Sequence, residues 1–407
     1  LPAAQALLVP AAEAGQWHLW LGVAGFACDA AGMAMLYRDL AALYDTPAVP
    51  DEDLPEAFGQ YLEWRAEVTQ DEDAAAARGY WQGHLMPTEQ GMSAPWPAYR
   101  QDQPATHQAH HQVNLPLALQ GQLQRLADAR QASLDTLLQA AWWALLGRLG
   151  DSNRLLGAWQ HDARQDYDYF ANSAGSFSKL LPLCLQWADE TRFGEHLAAL
   201  GAALEQHVAW QEYWVPEWVP TAVPTVAFST TPALAPQVAG GLCWQGELLA
   251  PRLPTGIELQ LRICPAAGAD QPITVSLDYL AGRYSARGMQ GLLEQYIELL
   301  RSIVQAPDRP LRQLNLLGEA ERQRLLSINP APQPLAATSL AAQISQWAID
   351  TPDALALVAG DAGLSYAQLE LAVQRLALAL QQAGVQPGAV LALALPRSLD
   401  WVVAMLA

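Results

Sequence analysis

Few of the residues capable of chemistry in this chain fall at a spacing that supports it. His107, His110 and His111 lie close enough together to suggest a metal, but no cysteine or acidic partner accompanies them at ligand spacing. A polar strand face is the expectation, with no metal site. Cys28, Cys184, Cys243 and Cys264 are scattered without paired spacing, so neither a zinc site nor a disulfide framework is predicted. Asp29 has the most informative setting, between a strand-like run, Trp17–Val23, and a helical run that begins near Gly32. A carboxylate there caps a helix or belongs to a strand–turn–helix active site. Ala24 and Gly25, earlier in the same turn, carry no group that moves a proton. Lys179 stands alone and is expected to be a solvated surface charge. Trp210 and Trp214 flank Gln211, and Trp218 follows at the same interval, although Pro216 interrupts a simple helix there. Such aromatics line a tunnel, form a docking surface or pack under a loop; the spacing leaves all three open.

The elements that must position these residues are legible as patterns. His18, Trp20 and Gly22 alternate with Leu19, Leu21 and Val23, the period of a half-buried strand. Met33, Leu36, Leu40 and Leu43 then recur at helical spacing. Tyr61 and Trp64 share a helical face. Prolines 87, 95, 97 and 104 mark an extended connection between two lobes, about 1–95 and 105–325. Ser133 is placed to cap an amphipathic helix through Leu134, Leu138, Trp142, Leu145 and Leu149 that stops at Gly150. A strand over Arg154–Trp159 follows. Ile257, Leu259 and Leu261 face Ile273, Val275 and Leu277 across a strand pair, and a helix runs from Met289 to Ile303. Residues 326–337 are proline-rich and form a stiff linker. Beyond it come a helix near Leu340–Trp347, a strand at Leu355–Leu357, a turn at Gly360–Gly363, a helix through Leu369 and Leu380, and a strand at Val390–Leu395.

Composition bounds the function. The 407 residues suit two or three domains, and 51% hydrophobic residues suffice for large cores. A formal charge of −19 opposes general affinity for nucleic acid or anionic lipid. No run is long and apolar enough for a membrane span, and a cytoplasmic setting is expected. The chain starts on Leu1 and stops inside a growing helix, as a window from a longer protein does. A fragment cut there is expected to expose apolar edges and to dissolve poorly.

Taken in order, the segments resemble condensation domains of nonribosomal peptide synthetases. The family motif His-His-x-x-x-Asp-Gly overlays Ala24, Gly25 and Asp29, with Ala30 at its final glycine; only Asp29 agrees. The stretch Gly175-Ser-Phe-Ser-Lys-Leu-Leu-Pro-Leu183 is similar to the family's Gly-x-Phe-Val-Asn-Thr-Leu-Pro-Leu. The segment Trp210–Pro216 keeps a glutamine and an acid of a third motif, and Gly157 to Arg164 matches a fourth in its end residues. Residues 338–407 resemble the start of an adenylation domain, with Gln368 where Leu-Thr/Ser-Tyr-x-Glu-Leu has its glutamate.

The resemblance implies an α/β, chloramphenicol-acetyltransferase-like domain of two lobes around a tunnel over residues 1–325, truncated at its start, then the first βα elements of an adenylate-forming domain. It implies amide-bond formation between an acyl thioester and an amine, each on a carrier domain. The family's second histidine assists that attack, and here it is Gly25. Asp29 becomes architectural, and Trp210, Gln211 and Trp214 become candidates for a tunnel or docking surface. No cofactor is bound directly: phosphopantetheine sits on the partner carriers, and ATP and magnesium belong to a complete adenylation domain, whose binding motifs lie beyond this segment. The alternative is a non-catalytic platform for a carrier or a tailoring enzyme.

Overall fold

The computed structural model describes residues 4–13, 15–46, 57–85, 99, 101, 103–150, 154–216, 224–249, 252–268, 271–328 and 339–407. Trp218, most of the extended connection before Pro104 and most of the 326–337 linker lie outside them. The chain divides into two compact units, Leu1–Leu325 and Leu326–Ala407.

The first unit is mixed α/β. Its first part holds the antiparallel hairpin β1 (Ala4–Pro10) and β2 (Trp17–Val23) and the helices α1 (Ala30–Asp45), α2 (Ala57–Val68) and α3 (Ala74–Leu85). Its second part holds strands β3 (His107–Asn114), β4 (Arg154–Asp162), β5 (Ser178–Gln186) and β6 (Val226–Thr230), the short hairpin β7 (Gln237–Ala239) and β8 (Leu242–Trp244), then β9 (Leu259–Cys264) and β10 (Thr274–Ala281). Helices α4 (Leu117–Ala129), α5 (Leu134–Leu149), α6 (Phe193–Trp210), α7 (Ala286–Gln305) and α8 (Glu319–Ser327) accompany them. Six strands form one sheet in the order β3-β10-β9-β6-β4-β5, with β6 parallel to both neighbours.

One face of that sheet is the core. Leu261 opposes Leu277 and Ile263 opposes Val275 in the β9/β10 register, and they pack with α4, α5 and α7. The α5 helix is capped by Ser133 as expected, but it is not amphipathic. It is packed by α4, α6, α7, β4 and β6, and Leu137 through Gly147 are all buried. The ring of Trp143 lies where a Cβ at Gly157 of β4 would stand, 2.5 Å away, so only glycine lets the helix approach there. The opposite face carries a small cluster of Ala158, Ala227 and Ile257, and a polar patch in which Arg262 Nε donates to Asp278 and Gln260 donates to Ser229. Ile257 therefore packs on the other side of the sheet from Leu259 and Leu261.

Two expectations for the opening segment change. The β2 strand is exposed on both faces, with Trp17, Leu19 and Trp20 at 62%, 42% and 52%, because among the described residues it pairs only with β1. The α1 helix buries Gly32 and Ala41, while Leu40 and Leu43 of the expected apolar stripe are 37% and 49% exposed. The helix packs instead on β7, and Tyr37 Oη donates to the Trp244 carbonyl at 2.9 Å.

The second unit holds α9 (Leu340–Asp350), a hairpin of β11 (Leu355–Ala359) and β12 (Ala362–Ser365), α10 (Tyr366–Gln382) and α11 (Leu399–Leu406). Gln368 accepts from the Ser365 N–H at 2.9 Å while Ser365 caps the Gln368 N–H, so glutamine closes the capping box that a glutamate would. No strand forms at Val390–Leu395, where Val390 is 97% exposed, since no described segment pairs with it.

Candidate functional site

Asp29 is the residue around which the first unit is organised. The β2 strand delivers the chain to a turn, and Asp29 ends that turn as N-cap of α1 with its carboxylate accepting from the Gly32 N–H at 2.8 Å. Gly32 is needed at this approach, because a Cβ there would lie 2.5 Å from Cys28 Sγ and 3.1 Å from the Gly175 carbonyl. The same carboxylate accepts from the backbone N–H groups of Phe177 and Ser178, at 2.8 and 2.9 Å, which fastens α1 to the start of β5.

Arg164 completes the arrangement. It follows β4 in the short 3₁₀ turn Ala163–Asp166, and its guanidinium meets Asp29 as a fork, Nη2 to Oδ1 at 2.8 Å and Nη1 to Oδ2 at 3.0 Å. Its remaining hydrogens go to Asp162, Ser173 O and Gly175 O, and the guanidinium lies 4.4 Å above the Phe177 ring. Both side chains are nearly dry, 2% and 7% exposed. Burial pushes the Asp29 carboxyl up, but the Arg164 bonds and the backbone N–H groups outweigh it and hold the acid below its ordinary range. Asp29 is thus held as an anion near neutral pH with its lone pairs committed to Arg164 and the backbone, an arrangement that suits a frame rather than a proton carrier.

Ala24 and Gly25 sit in the turn before this pair. Gly25 is exposed, its φ lies outside the left-handed region, and a Cβ there would meet no atom within 4 Å. Next to it Phe26 is 78% exposed. Space for a side chain at position 25 exists beside a fully built frame.

The structure places the aromatic candidates elsewhere and packs them. The α6 helix ends at Trp210 and continues as the 3₁₀ turn Gln211–Tyr213. Trp81 Nε1 donates to the Trp210 carbonyl at 3.0 Å, its ring lies 5.0 Å from that of Trp214, and Tyr80 stacks on Trp210 at 6.1 Å. Gln211 is buried and donates to Asp166 Oδ2 at 2.6 Å. A cavity lined by Gln108, Arg252, Leu253, Ile257 and Leu280 includes none of the six sequence-derived positions.

Lys179 is a correction. It is not a solvated charge: its side chain is 9% exposed, and Nζ lies 2.5 Å from Glu212 Oε2 in the turn after α6. Strand β5 turns its odd residues toward the helices, with Leu181, Leu183 and Leu185 in the core, so Lys179 points inward with them. Around Glu212, Tyr61 Oη donates at 3.0 Å and Tyr167 Oη at 3.2 Å, and Arg65 Nε donates to its backbone carbonyl at 3.3 Å.

A second buried network also escaped sequence reasoning. The N–H of Cys184 on the outer edge of β5 donates to His84 Nε2 of α3 at 3.0 Å, and His207 Nε2 lies 3.1 Å from the same atom. Trp159 Nε1 donates to His207 Nδ1 at 3.1 Å. His207 therefore carries its proton on Nε2 and gives it to His84. Burial lowers both rings, to about 4 for His84 and about 3 for His207, so the pair is neutral. Its work is to close the sheet edge against α3. No local pattern signals it, because His84, Trp159, Cys184 and His207 come from four separate elements.

Comparisons with known proteins bear on the family and the fold. The family model for condensation domains matches residues 4–219, and that for AMP-binding enzymes matches 344–407. The AMB antimetabolite synthetase AmbE of Pseudomonas aeruginosa is 30% identical over 410 residues, covering 98% of this chain and 18% of that protein. The chain thus spans less than a fifth of that curated relative. Among solved structures, holo-AB3403, a four-domain nonribosomal peptide synthetase bound to AMP and glycine, aligns with a TM-score of 0.68 at 16% identity over 95% of this chain and 31% of that one. The X-domain from teicoplanin biosynthesis, in complex with OxyB, aligns at 0.62 and 18% identity over 78% and 73%.

Proposed function

Since the chain belongs to the condensation-domain family and carries the start of an AMP-binding domain behind it, we propose that it is the condensation–adenylation junction of a nonribosomal peptide synthetase whose condensation step is impaired at Gly25. In the proposed reaction the amine nitrogen of a carrier-bound acceptor attacks the thioester carbonyl of a carrier-bound donor. The carbon–sulfur bond breaks, and the proton lost from the attacking nitrogen is relayed by a nearby base to the departing sulfur, so the donor's pantetheine leaves as a thiol. Phosphopantetheine arrives on the carriers, and ATP with magnesium would serve the complete adenylation domain.

The observation that carries the reading is a contrast within one turn. Asp29 and Arg164 form a complete, dry frame, whereas position 25, where the family has a histidine, offers no base at all. A positioned acid–base group typically contributes about 10²- to 10⁴-fold in rate. The frame without the base supports slow condensation.

A second reading follows from Phe26 and from the likeness to an X-domain solved with OxyB: the domain serves as a platform for a carrier or tailoring enzyme. The two separate in one experiment, in which the intact parent module is supplied with loaded donor and acceptor carriers and peptide-bond formation is followed. Gly25→His raising the rate on the order of 10²-fold supports the impaired enzyme. Wild-type turnover at the pace of ordinary modules would refute impairment, and no gain from Gly25→His together with retention of a carrier or oxygenase in a pull-down favours the platform.

A further inference from the structure

We infer that Lys179 is an ionisable positioning residue, and that loss of its proton tightens the turn Gln211–Tyr213, which holds Trp210 and Trp214 in place. The inference concerns a cluster separate from the Asp29 frame and stands whether or not the domain condenses.

The turn is clamped by charged and polar groups from several neighbouring segments, among them Asp71 after α2, which accepts from Tyr213 Oη at 2.9 Å, and Trp81 of α3, which donates to the Trp210 carbonyl. From α2 come Tyr61 and Arg65, the latter donating to the Glu212 carbonyl and to the Trp214 carbonyl, both at 3.3 Å. From the 3₁₀ turn after β4 come Asp166, which accepts from Gln211, and beyond it Tyr167, which donates to Glu212. The β4 strand contributes His161, whose Nε2 is 2.6 Å from Asp166 Oδ2 and which stands opposite Lys179 in the β4/β5 register. Lys179 completes the cluster from β5. Its Nζ is in ionic contact with Glu212 but makes no well-directed hydrogen bond, and it lies 5.6 Å from the Tyr61 ring centroid.

An ammonium held this way loses more on leaving water than Glu212, the Tyr61 ring and the nearby Asp166 return. Burial accordingly lowers Lys179 to about 8 from the ordinary 10.5, against the opposing pull of Glu212, while Arg65 lowers it further. The sign of the effect follows by linkage. If the turn opens to water, the amine returns toward 10.5; between these values the closed turn has shed a proton that the open turn keeps, so rising pH favours closure, by an amount on the order of 10²-fold across the whole window. Below pH 8 both states are protonated and Lys179 contributes no slope. Tyr61 and Tyr167 act oppositely and later: burial, with Glu212 beside them, holds both hydroxyls well above the ordinary 10, so their ionisation in the open turn favours opening only above that pH. The turn is tightest between about pH 9 and 10.

The test uses the full chain and hydrogen-exchange mass spectrometry on peptides covering 208–216, with rates corrected for intrinsic exchange at each pH. Protection of the turn is expected to rise on the order of 10-fold between about pH 7.5 and 9.5 in the wild type. It should be flat over the same range in Lys179→Arg, which keeps a charge that cannot be shed, and flat in Lys179→Met. A purely structural role would lower protection in the variants without removing a slope. Absence of the slope in the wild type, or its persistence in Lys179→Arg, overturns the inference; should Lys179→Met fail to fold, the arginine variant carries the test alone.

Discussion

Two of the buried ion pairs in this domain are built in opposite ways. Asp29 and Arg164 meet as a planar fork in which each remaining lone pair or hydrogen has a backbone or side-chain partner. Lys179 and Glu212 meet through one short contact off the hydrogen-bond direction, and the carboxylate is shared among tyrosines and a second cation. Burial costs both pairs their hydration. In the first, directed bonds restore it, and Asp29 stays below its ordinary pKa; in the second they do not, and Lys179 falls to about 8. Geometry rather than charge count separates a permanent frame from an adjustable contact.

The largest effect should come from cutting the frame. Asp29→Ala leaves Arg164, 2% exposed, with Asp162 as its remaining counter-ion and frees the N–H groups of Gly32, Phe177 and Ser178. A loss of about 3–5 kcal/mol is expected in chemical denaturation followed by tryptophan fluorescence. The same pair fixes the acid limit: because the folded Asp29 pKa is depressed, its contribution is complete above the unfolded value and is lost as pH falls below about 4. Wild type and Asp29→Ala should converge in stability under acid; parallel curves down to about pH 2 would contradict the assignment. Breaking the second pair should matter less and depend on pH. Glu212→Gln strands Lys179 at neutral pH, at about 2–3 kcal/mol, and because Glu212 raises the Lys179 pKa the loss should shrink as pH rises toward 8 and be least above it.

The same contrast explains what was legible in the sequence. Asp29 was visible because capping is local, readable from the strand before it and the helix after it, and Arg164 was visible as the end of an ordered segment. Lys179 was misread because its partner lies beyond the whole of α6, and Tyr61 is 151 positions from Glu212. No period along the chain encodes such a meeting. The α5 helix was misjudged for a related reason: a helix packed on all sides has no polar face, so its apolar spacing mimics one buried stripe. Exposure of β2 and of Val390 went unseen because alternation reports what a strand can bury, whereas burial needs a neighbouring element.

Removing the cation of the weaker pair sharpens the comparison. Lys179→Met replaces a poorly satisfied ammonium by a side chain suited to its apolar neighbours Leu181 and Tyr61, leaving Glu212 to Tyr61, Tyr167 and Arg65. Because Glu212 keeps those partners, the loss at pH 7 should stay below about 2 kcal/mol, smaller than that of Asp29→Ala. A loss above about 2 kcal/mol in the same denaturation assay would place Lys179 with the frame instead.

The smallest expected effect on folding belongs to the position of greatest chemical interest. Gly25→His adds a side chain where no atom stands within 4 Å and where φ imposes no glycine, so it should shift stability by less than about 0.5 kcal/mol. The gain in condensation rate expected from the same substitution is on the order of 10²-fold. Stability and rate thus separate at one residue: the frame beside Gly25 is complete without a base, so supplying one perturbs nothing that holds the turn together. If instead Gly25→His destabilises the domain by more than about 1 kcal/mol, the turn has relaxed around the glycine, and the frame and the base position have diverged together.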